Sequence, residues 1–297
     1  MLKSRRKIGL SIDRGLATAL ELEEKRGGVI VKNFQRRDLP PAWEEEASLG
    51  GEIVKAALKD ILAQFQGIDV RLALADPMAN LSLLELKGLP SGKRETERLI
   101  RWRLKGSLPY DVNRARIAFQ FINQGKQGGE RKALVLSVPD PLVSPLEDGI
   151  LALSRRVRKI SITSLYLNNI LLSSIHNPPA DFALVFILDN HFTVIIYCSS
   201  RPEFYRCKQS VGAISDLIPN IYTTFLYFYR NNPKVRIERV FLFSVLDNPE
   251  DQGELLKEAL QTEIEVPDIF RSVKVEAGPS GKAAPEEMTP ALAAALG

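Results

Sequence analysis

Apolar strands and polar turns alternate in the same order at two distant places along the chain. Apolar strands at residues 8–13, 17–22 and 29–34 are separated by turns that carry basic residues and glycine. Residues 183–198 hold two further apolar strands around a polar turn, and a third short strand follows at residues 203–207. An internal repeat of a whole supersecondary unit predicts a duplicated fold.

Each repeat places an aspartate where its first strand ends, at Asp13 and Asp189. Paired turns of this kind suit a nucleotide cleft, because backbone amides of a tight turn face phosphate and the carboxylate holds a cation or its water. The first turn, residues 13–18, contains only Gly15 and ends at Thr18, and the second turn contains no glycine. The pattern therefore predicts nucleotide binding that is weak or lost.

Helical spacing of apolar residues predicts the remaining elements. A Ser-Pro-x-Glu pattern at residues 144–147 predicts a helix N-terminus with Ser144 as its cap. Residues 278–287 are predicted to form a loose surface loop, because they are rich in Gly, Pro, Ser, Ala and Lys. The predicted helices span residues 52–66, 91–105, 164–175, 215–230 and 251–260, with others from 144 and from 289.

Composition narrows the class of protein. Forty basic and 36 acidic side chains give a net charge of +4, which argues against a dedicated nucleic-acid binder. No apolar run approaches the roughly 20 residues of a membrane span, and the basic start is not followed by a signal-peptide core. We therefore expect a cytoplasmic protein.

The only cysteines, Cys198 and Cys207, either face each other across a hairpin or are buried reduced thiols, and a cysteine-poor chain favours thiols.

Other catalytic patterns are missing from the sequence. His176 and His191 have no cysteine or carboxylate at a metal-ligand spacing, so neither predicts a metal site. No Gly-x-Ser-x-Gly elbow supports a serine hydrolase. The basic helix at residues 91–105 is interpreted as a solvated face, with an acidic partner or a membrane-proximal surface as the alternative.

The order of these elements resembles the PilM family, the actin-like cytoplasmic proteins of type IV pilus assembly that are related to FtsA. Residues 8–15 and 19–22 are similar to that family's opening Gly-Ile-Asp-Ile-Gly and Val-Glu-Leu. Residues 99–110 are similar to its Trp-Glu and Ile-Pro-Phe segment, and Val211-Gly212 resembles a Gly-Gly turn before a long helix. The last residues, 290–297, resemble the family's tail.

The resemblance implies an α/β, actin-like, ribonuclease H-like duplicated fold with two lobes. We predict an N-terminal lobe at residues 1–176, a small inserted subdomain at about 67–122, and a C-terminal lobe at 177–297. In the family, ATP binds in the central cleft. Here that would involve Asp13, Gly15, Thr18, Asp189 and Gly212, with Asp13 and Asp189 as Mg²⁺ ligands only if Mg-ATP binds.

The family also implies a groove for the cytoplasmic N-terminal peptide of an inner-membrane partner, PilN. We therefore predict a cytoplasmic scaffold, peripheral to the inner membrane, with Leu99, Trp102 and Arg103 as its partner-binding residues. No cofactor is expected, since Val211 replaces a glycine and residues 243–245 replace a Ser-Gly-Gly adenosine turn. The alternative is an active PilM-type ATPase. A sugar-kinase-like enzyme would need a catalytic aspartate near a sugar pocket, and the sequence offers no convincing candidate for that residue.

Overall fold

The structure is a computed structural model that describes residues 6–13, 15–25, 28–39, 49–90, 92–122, 130–210, 214–271, 273–275 and 285–297. Its strands are β1 (Arg6–Asp13), β2 (Leu16–Lys25), β3 (Gly28–Asp38), β4 (Asp69–Leu74), β5 (Asn80–Leu86), β6 (Ala115–Phe121), β7 (Arg131–Pro139), β8 (Arg156–Ile162), β9 (Phe182–Leu188), β10 (His191–Cys198), β11 (Arg201–Gln209), β12 (Arg239–Ser244), β13 (Glu263–Glu265) and β14 (Val273–Val275). Its helices are α1 (Leu49–Leu62), α2 (Lys93–Leu104), α3 (Asp140–Ala152), α4 (Thr163–Ser174), α5 (Ile214–Asn231), α6 (Pro249–Leu260) and α7 (Pro285–Leu296).

Two sheets repeat the same arrangement of strands. One has the order β14-β3-β2-β1-β4-β8 and the other β11-β10-β9-β12-β13. In each sheet the first strand of the antiparallel meander lies inside, between its hairpin partner and a parallel strand: β1 between β2 and β4, and β9 between β10 and β12. The duplication predicted from the sequence is therefore present in the fold.

The strand β9 shows why such a run is apolar throughout. All seven of its residues are buried, as expected for a strand covered on both faces. Its even-numbered residues 182–188 join a core with α4 and the end of α7, and its odd-numbered residues join a core with α5 and β10. The first of these cores also contains Ala73 of β4, so it connects the two sheets.

The last helix returns to the first sheet. α7 packs on β1, β2 and β4, and β14 extends the same sheet beside β3. The approach is close enough that a Cβ on Gly9 would lie 1.9 Å from the carbonyl oxygen of Ala291. The predicted division at residue 176 thus assigns β14 and α7 to the second lobe, whereas β14 pairs with β3 and α7 packs on β1, β2 and β4 of the first sheet.

The inserted subdomain is a three-stranded sheet, β5-β7-β6, with α2 on one face. It runs from Asn80 to Pro139, so the predicted bounds of 67–122 are corrected at both ends. β4 belongs to the six-stranded sheet because it pairs with β1 and β8. β7 belongs to the insertion because it is the central strand, pairing with both β5 and β6.

Two helix starts also differ from the prediction. α3 begins at Asp140 rather than at Ser144, because Pro141 supplies a preorganised first turn and Ser144 donates to the Asp140 carboxylate at 3.0 Å. α7 begins at Pro285 rather than at Thr289. The predicted loop at 278–287 lies mostly outside the described residues.

Both cysteines are free, and Cys207 faces Thr193 across the β10–β11 pair rather than Cys198.

Candidate functional site

The turns that end β1 and β9 meet in the crevice between the two sheets. The side-chain amide of Asn190 donates to Asp13 Oδ2 at 3.2 Å. Asp189, its neighbour, is close enough to Asp13 to be affected by its charge. The structure therefore brings together the two aspartates that the sequence singled out, although they are 176 residues apart.

Little space remains in this crevice. Its cavity holds about 90 Å³ and is lined by Asp13, Thr18, Asp189 and Pro290, among other residues. Small-molecule sites usually measure roughly 300–1,000 Å³. The cavity between the described residues is thus smaller than an ordinary small-molecule site.

The charges in the crevice also suit polyphosphate poorly. Asp13, Asp189 and Glu287 line it, and the guanidinium of Arg36 pairs with Glu287 at 2.8 Å. Gly15 adopts a positive φ of 77° in the first turn and its carbonyl accepts from Leu39, but it is not part of the cavity wall. The predicted Gly212 lies outside the described residues.

Partial burial, and next the negative charge of Asp13, raise the pKa of Asp189 above its ordinary value. A raised folded-state pKa means that ionising this carboxyl destabilises the fold as the pH rises through that pKa. We expect Asp189→Asn to raise the free energy of unfolding at pH 7 by less than about 1 kcal/mol, since solvent screens the charge. Denaturant titrations at several pH values should show this gain disappearing in acid.

The matched control is Asp60→Asn, an exposed carboxylate on α1. Its stability should change by no more than about 0.5 kcal/mol. A loss of stability in Asp189→Asn at pH 7 would contradict the expected repulsion.

A second polar cluster lies deeper, around a carboxylate that the sequence reading passed over. Asp76 is 1% exposed and sits in a 3-10 turn directly after β4. It accepts hydrogen bonds from the backbone N–H of Ser164 at 3.0 Å, from the Thr193 hydroxyl at 2.7 Å and from the Tyr205 hydroxyl at 3.1 Å. Burial, and next the charge of Asp76, raise the pKa of Tyr205 well above its ordinary value. Because Asp76 follows β4 and its donors Thr193 and Tyr205 lie on β10 and β11, these hydrogen bonds join the first sheet to the second.

His191 and Cys207 border this cluster. One potential ligand atom from each of Asp76, His191 and Cys207 lies within 4.8 Å of the other two. No spacing along the chain predicts this group, because 115 residues separate Asp76 from His191. Only the pairing of β10 with β11 and their packing on the turn after β4 bring the three together.

A larger hollow of about 510 Å³ lies between the inserted subdomain and the main body. One wall is a face of the three-stranded sheet, where Leu81, Leu136 and Ala118 form one cross-strand row. The opposite wall comes from β8 and α4 and includes Ile160 and Leu165. The sheet wall is largely apolar, whereas the opposite wall also carries polar side chains such as Lys159, Asn168 and Asn169. We call this hollow the insertion groove.

The strand β6 borders the insertion groove and is an edge strand. It pairs with β7 on one side, and no described strand pairs with its other side. Unpaired backbone N–H and C=O groups along an edge can pair with an added strand. Ala118 and Gln120 are exposed on β6, whereas Phe119 and Phe121 pack toward the core under α2.

The three predicted partner-binding residues lie on α2, which covers the face of the sheet opposite the insertion groove. Leu99 is half-buried against the core of the subdomain. Trp102 is 67% exposed, and the guanidinium carbon of Arg103 lies 5.9 Å from the centroid of its ring. Arg103 also donates to the carbonyl of Glu85 at 3.1 Å. Trp102 is thus available to a partner, whereas Leu99 is mainly structural.

Three solved structures share this fold over nearly the whole chain. A PilM–PilN type IV pilus biogenesis complex matches with a TM-score of 0.76 at 15% identity, over 98% of this chain and 97% of that one. The cytoplasmic domain of EpsL, an inner-membrane component of the type II secretion system of Vibrio cholerae, matches with a TM-score of 0.54 at 12% identity, over 98% and 95%. A Bacteroides thetaiotaomicron protein with an actin-like ATPase fold and unknown function matches with a TM-score of 0.57 at 8% identity, over 98% and 99%.

These likenesses show that the chain has the actin-like ATPase fold, which confirms the predicted fold class. No family model and no curated protein sequence matches the chain. Among the helices that the structure describes, none has both the length and the hydrophobicity of a bilayer-spanning segment.

Proposed function

We propose that this protein is a cytoplasmic actin-like scaffold of a type IV pilus or related secretion machine, peripheral to the inner membrane. It would bind the cytoplasmic N-terminal segment of a PilN-like inner-membrane protein. The proposal is supported by the full-length likeness to the PilM–PilN complex and to the EpsL cytoplasmic domain.

The insertion groove is the observation that supports the proposed binding of a peptide. An extended peptide lying there would add a strand to β6 and place alternate side chains against Leu136 and Ile160. Main-chain hydrogen bonds would supply affinity, and the apolar wall formed by the sheet would select the side chains. The groove volume of about 510 Å³ suits a few ordered side chains rather than a folded domain.

The exposed face of α2, which carries Trp102 and Arg103, is the second candidate binding surface for the partner segment. Arg94 and Arg98 are exposed on the same helix, so this face would favour an acidic segment. Because α2 and the insertion groove lie on opposite faces of one small sheet, a short peptide would contact only one of them. A single pair of variants therefore separates the two.

The test measures binding of a fluorescently labelled peptide, taken from the cytoplasmic N-terminus of a PilN-like single-span membrane protein of the same organism. Ala118→Arg should weaken binding at least tenfold, because it places a bulky cation in the insertion groove. Trp102→Ala, on the opposite face, should change binding less than threefold. The reverse result would move the contact to α2. Failure of the unaltered protein to bind would overturn the scaffold proposal.

We also propose that nucleotide binding is weak or lost. The small crevice and its three carboxylates support this. Calorimetry with Mg-ATP is expected to show no binding at micromolar concentrations. Micromolar binding that Asp13→Ala abolishes would favour the alternative, an active PilM-type ATPase in which Asp13 and Asp189 hold Mg²⁺.

A further inference from the structure

We propose that Asp76, His191 and Cys207 form a binding site for a transition-metal ion such as Zn²⁺, at the junction between the two sheets. A carboxylate, an imidazole and a thiol from three separate elements come within 4.8 Å of one another there. Asp76 follows β4 of the first sheet, and the other two residues lie on β10 and β11 of the second.

The strand register explains the placement of the two strand residues. Cys207 pairs with Thr193, and His191 lies two residues before Thr193 on the same face of β10. Bonds of roughly 2.0 Å to nitrogen and oxygen and 2.3 Å to sulfur place the ligand atoms of tetrahedral Zn²⁺ about 3.3–3.6 Å apart. The ligand atoms lie within 4.8 Å of one another, so metal binding would draw them about 1 Å closer together.

The hydrogen bonds around His191 determine which ring nitrogen is free. The amide nitrogen of Asn190 donates to Asp13 at 3.2 Å, so the amide oxygen of Asn190 is an acceptor. That oxygen lies 2.6 Å from His191 Nδ1, which must then carry the proton in the neutral ring. The lone pair of the imidazole is therefore on Nε2.

This lone pair is the second, independent sign of a ligand. His191 is 2% exposed, and its Nε2 atom is buried with no hydrogen-bond partner among the described residues. A buried polar atom without a partner is destabilising and uncommon in native proteins. A metal ion would satisfy it, and a partner that orients the other ring nitrogen is typical of metal-binding histidines.

The remaining ligands indicate the kind of metal. The three hydrogen-bond donors on Asp76 hold its carboxylate in place, as neighbours of metal-binding carboxylates do. Burial raises the pKa of the Cys207 thiol to about 12, so a metal must displace its proton. Thiolate and imidazole together favour Zn²⁺ or Co²⁺ over Mg²⁺ or Ca²⁺. A bound ion would clamp the two sheets together.

The test uses the full chain without a histidine tag, reduced and stripped of metal, with Co²⁺ as a spectroscopic probe. We expect a near-ultraviolet thiolate-to-cobalt charge-transfer band that saturates at one equivalent and that Zn²⁺ abolishes by competition. Cys207→Ser should lose the band. Cys198→Ser, the matched control for the other half-buried thiol, should retain it.

Thermal unfolding gives a second readout that does not depend on the band. Zn²⁺ should raise the melting temperature of the unaltered protein and of Cys198→Ser, but not of Cys207→Ser or His191→Gln. The proposal is overturned if Co²⁺ gives no thiolate band, if the band persists in Cys207→Ser, or if Zn²⁺ stabilises all variants equally. In those cases the cluster is a buried polar contact between the sheets.

Discussion

Replacing Asp76 with alanine is expected to lower the free energy of unfolding by about 3–5 kcal/mol, because each buried donor left without an acceptor costs about 1–3 kcal/mol. Asp76→Ala would leave the Thr193 and Tyr205 hydroxyls and the Ser164 N–H without their shared acceptor. Water cannot readily replace the lost carboxylate as their acceptor, since Asp76 is only 1% exposed. The loss should weaken the contact between the two sheets.

Urea titrations in the presence of a chelator measure this effect without any contribution from bound metal. Asp140→Ala is the matched control, because Asp140 is an exposed carboxylate that pairs with Arg116 and accepts from Ser144. It should lose no more than about 1 kcal/mol. Asp76→Asn keeps the shape of the side chain and should fall between the two. Equal losses for Asp76→Ala and Asp140→Ala would contradict the proposed role of Asp76.

Gly9→Ala is expected to cost about 3 kcal/mol, at the upper end of the usual range for overpacking. The added Cβ would lie 1.9 Å from the carbonyl oxygen of Ala291 and 2.8 Å from the Cβ of Ala295. The first of these contacts is with backbone, so no rotamer change can relieve it. α7 must shift away from β1, which opens the apolar contacts that hold it against the first sheet.

Denaturant titration measures the loss, and hydrogen exchange should show faster exchange for amides of α7. Gly253→Ala in α6 is the control, because its Cβ would lie 3.2 Å from a methyl group of Val266. Better helix propensity offsets that contact by up to about 1 kcal/mol. If both variants have the same stability, the close approach of α7 to β1 is not important for folding.

The crevice shows which features of a candidate site can be predicted from the local sequence pattern. Asp13 and Asp189 were found from the sequence because each follows a buried strand in a repeated unit, and repeats of a fold place equivalent residues together. The volume between them was not predictable. It depends on how Pro290 of α7 and Arg36 of β3 fill the space, and these come from distant segments.

The insertion groove and the α2 face show the opposite outcome. The basic residues of α2 were interpreted from the sequence as a solvated face, with a docking face as the alternative, and Trp102 was named as a partner-binding residue only after the resemblance to the PilM family. The groove on the other face of the same sheet was missed, since Leu81, Leu136 and Ala118 each read as ordinary strand residues. Only the position of the sheet against β8 and α4 leaves that face partly uncovered.

By itself, the sequence determined the class and order of the elements, because the periodicity of apolar residues is a local property that survives without knowledge of partners. The repeat of two three-stranded units, and hence a duplicated fold, follows from that periodicity, whereas the actin-like class was implied by the resemblance to the PilM family. Only the tertiary structure decided which segments share space: α7 on the first sheet, β7 within the insertion, and Asp76 beside His191 and Cys207. Those contacts join residues far apart in the chain, and their distances are set by the packing of whole sheets and helices rather than by any spacing along the sequence.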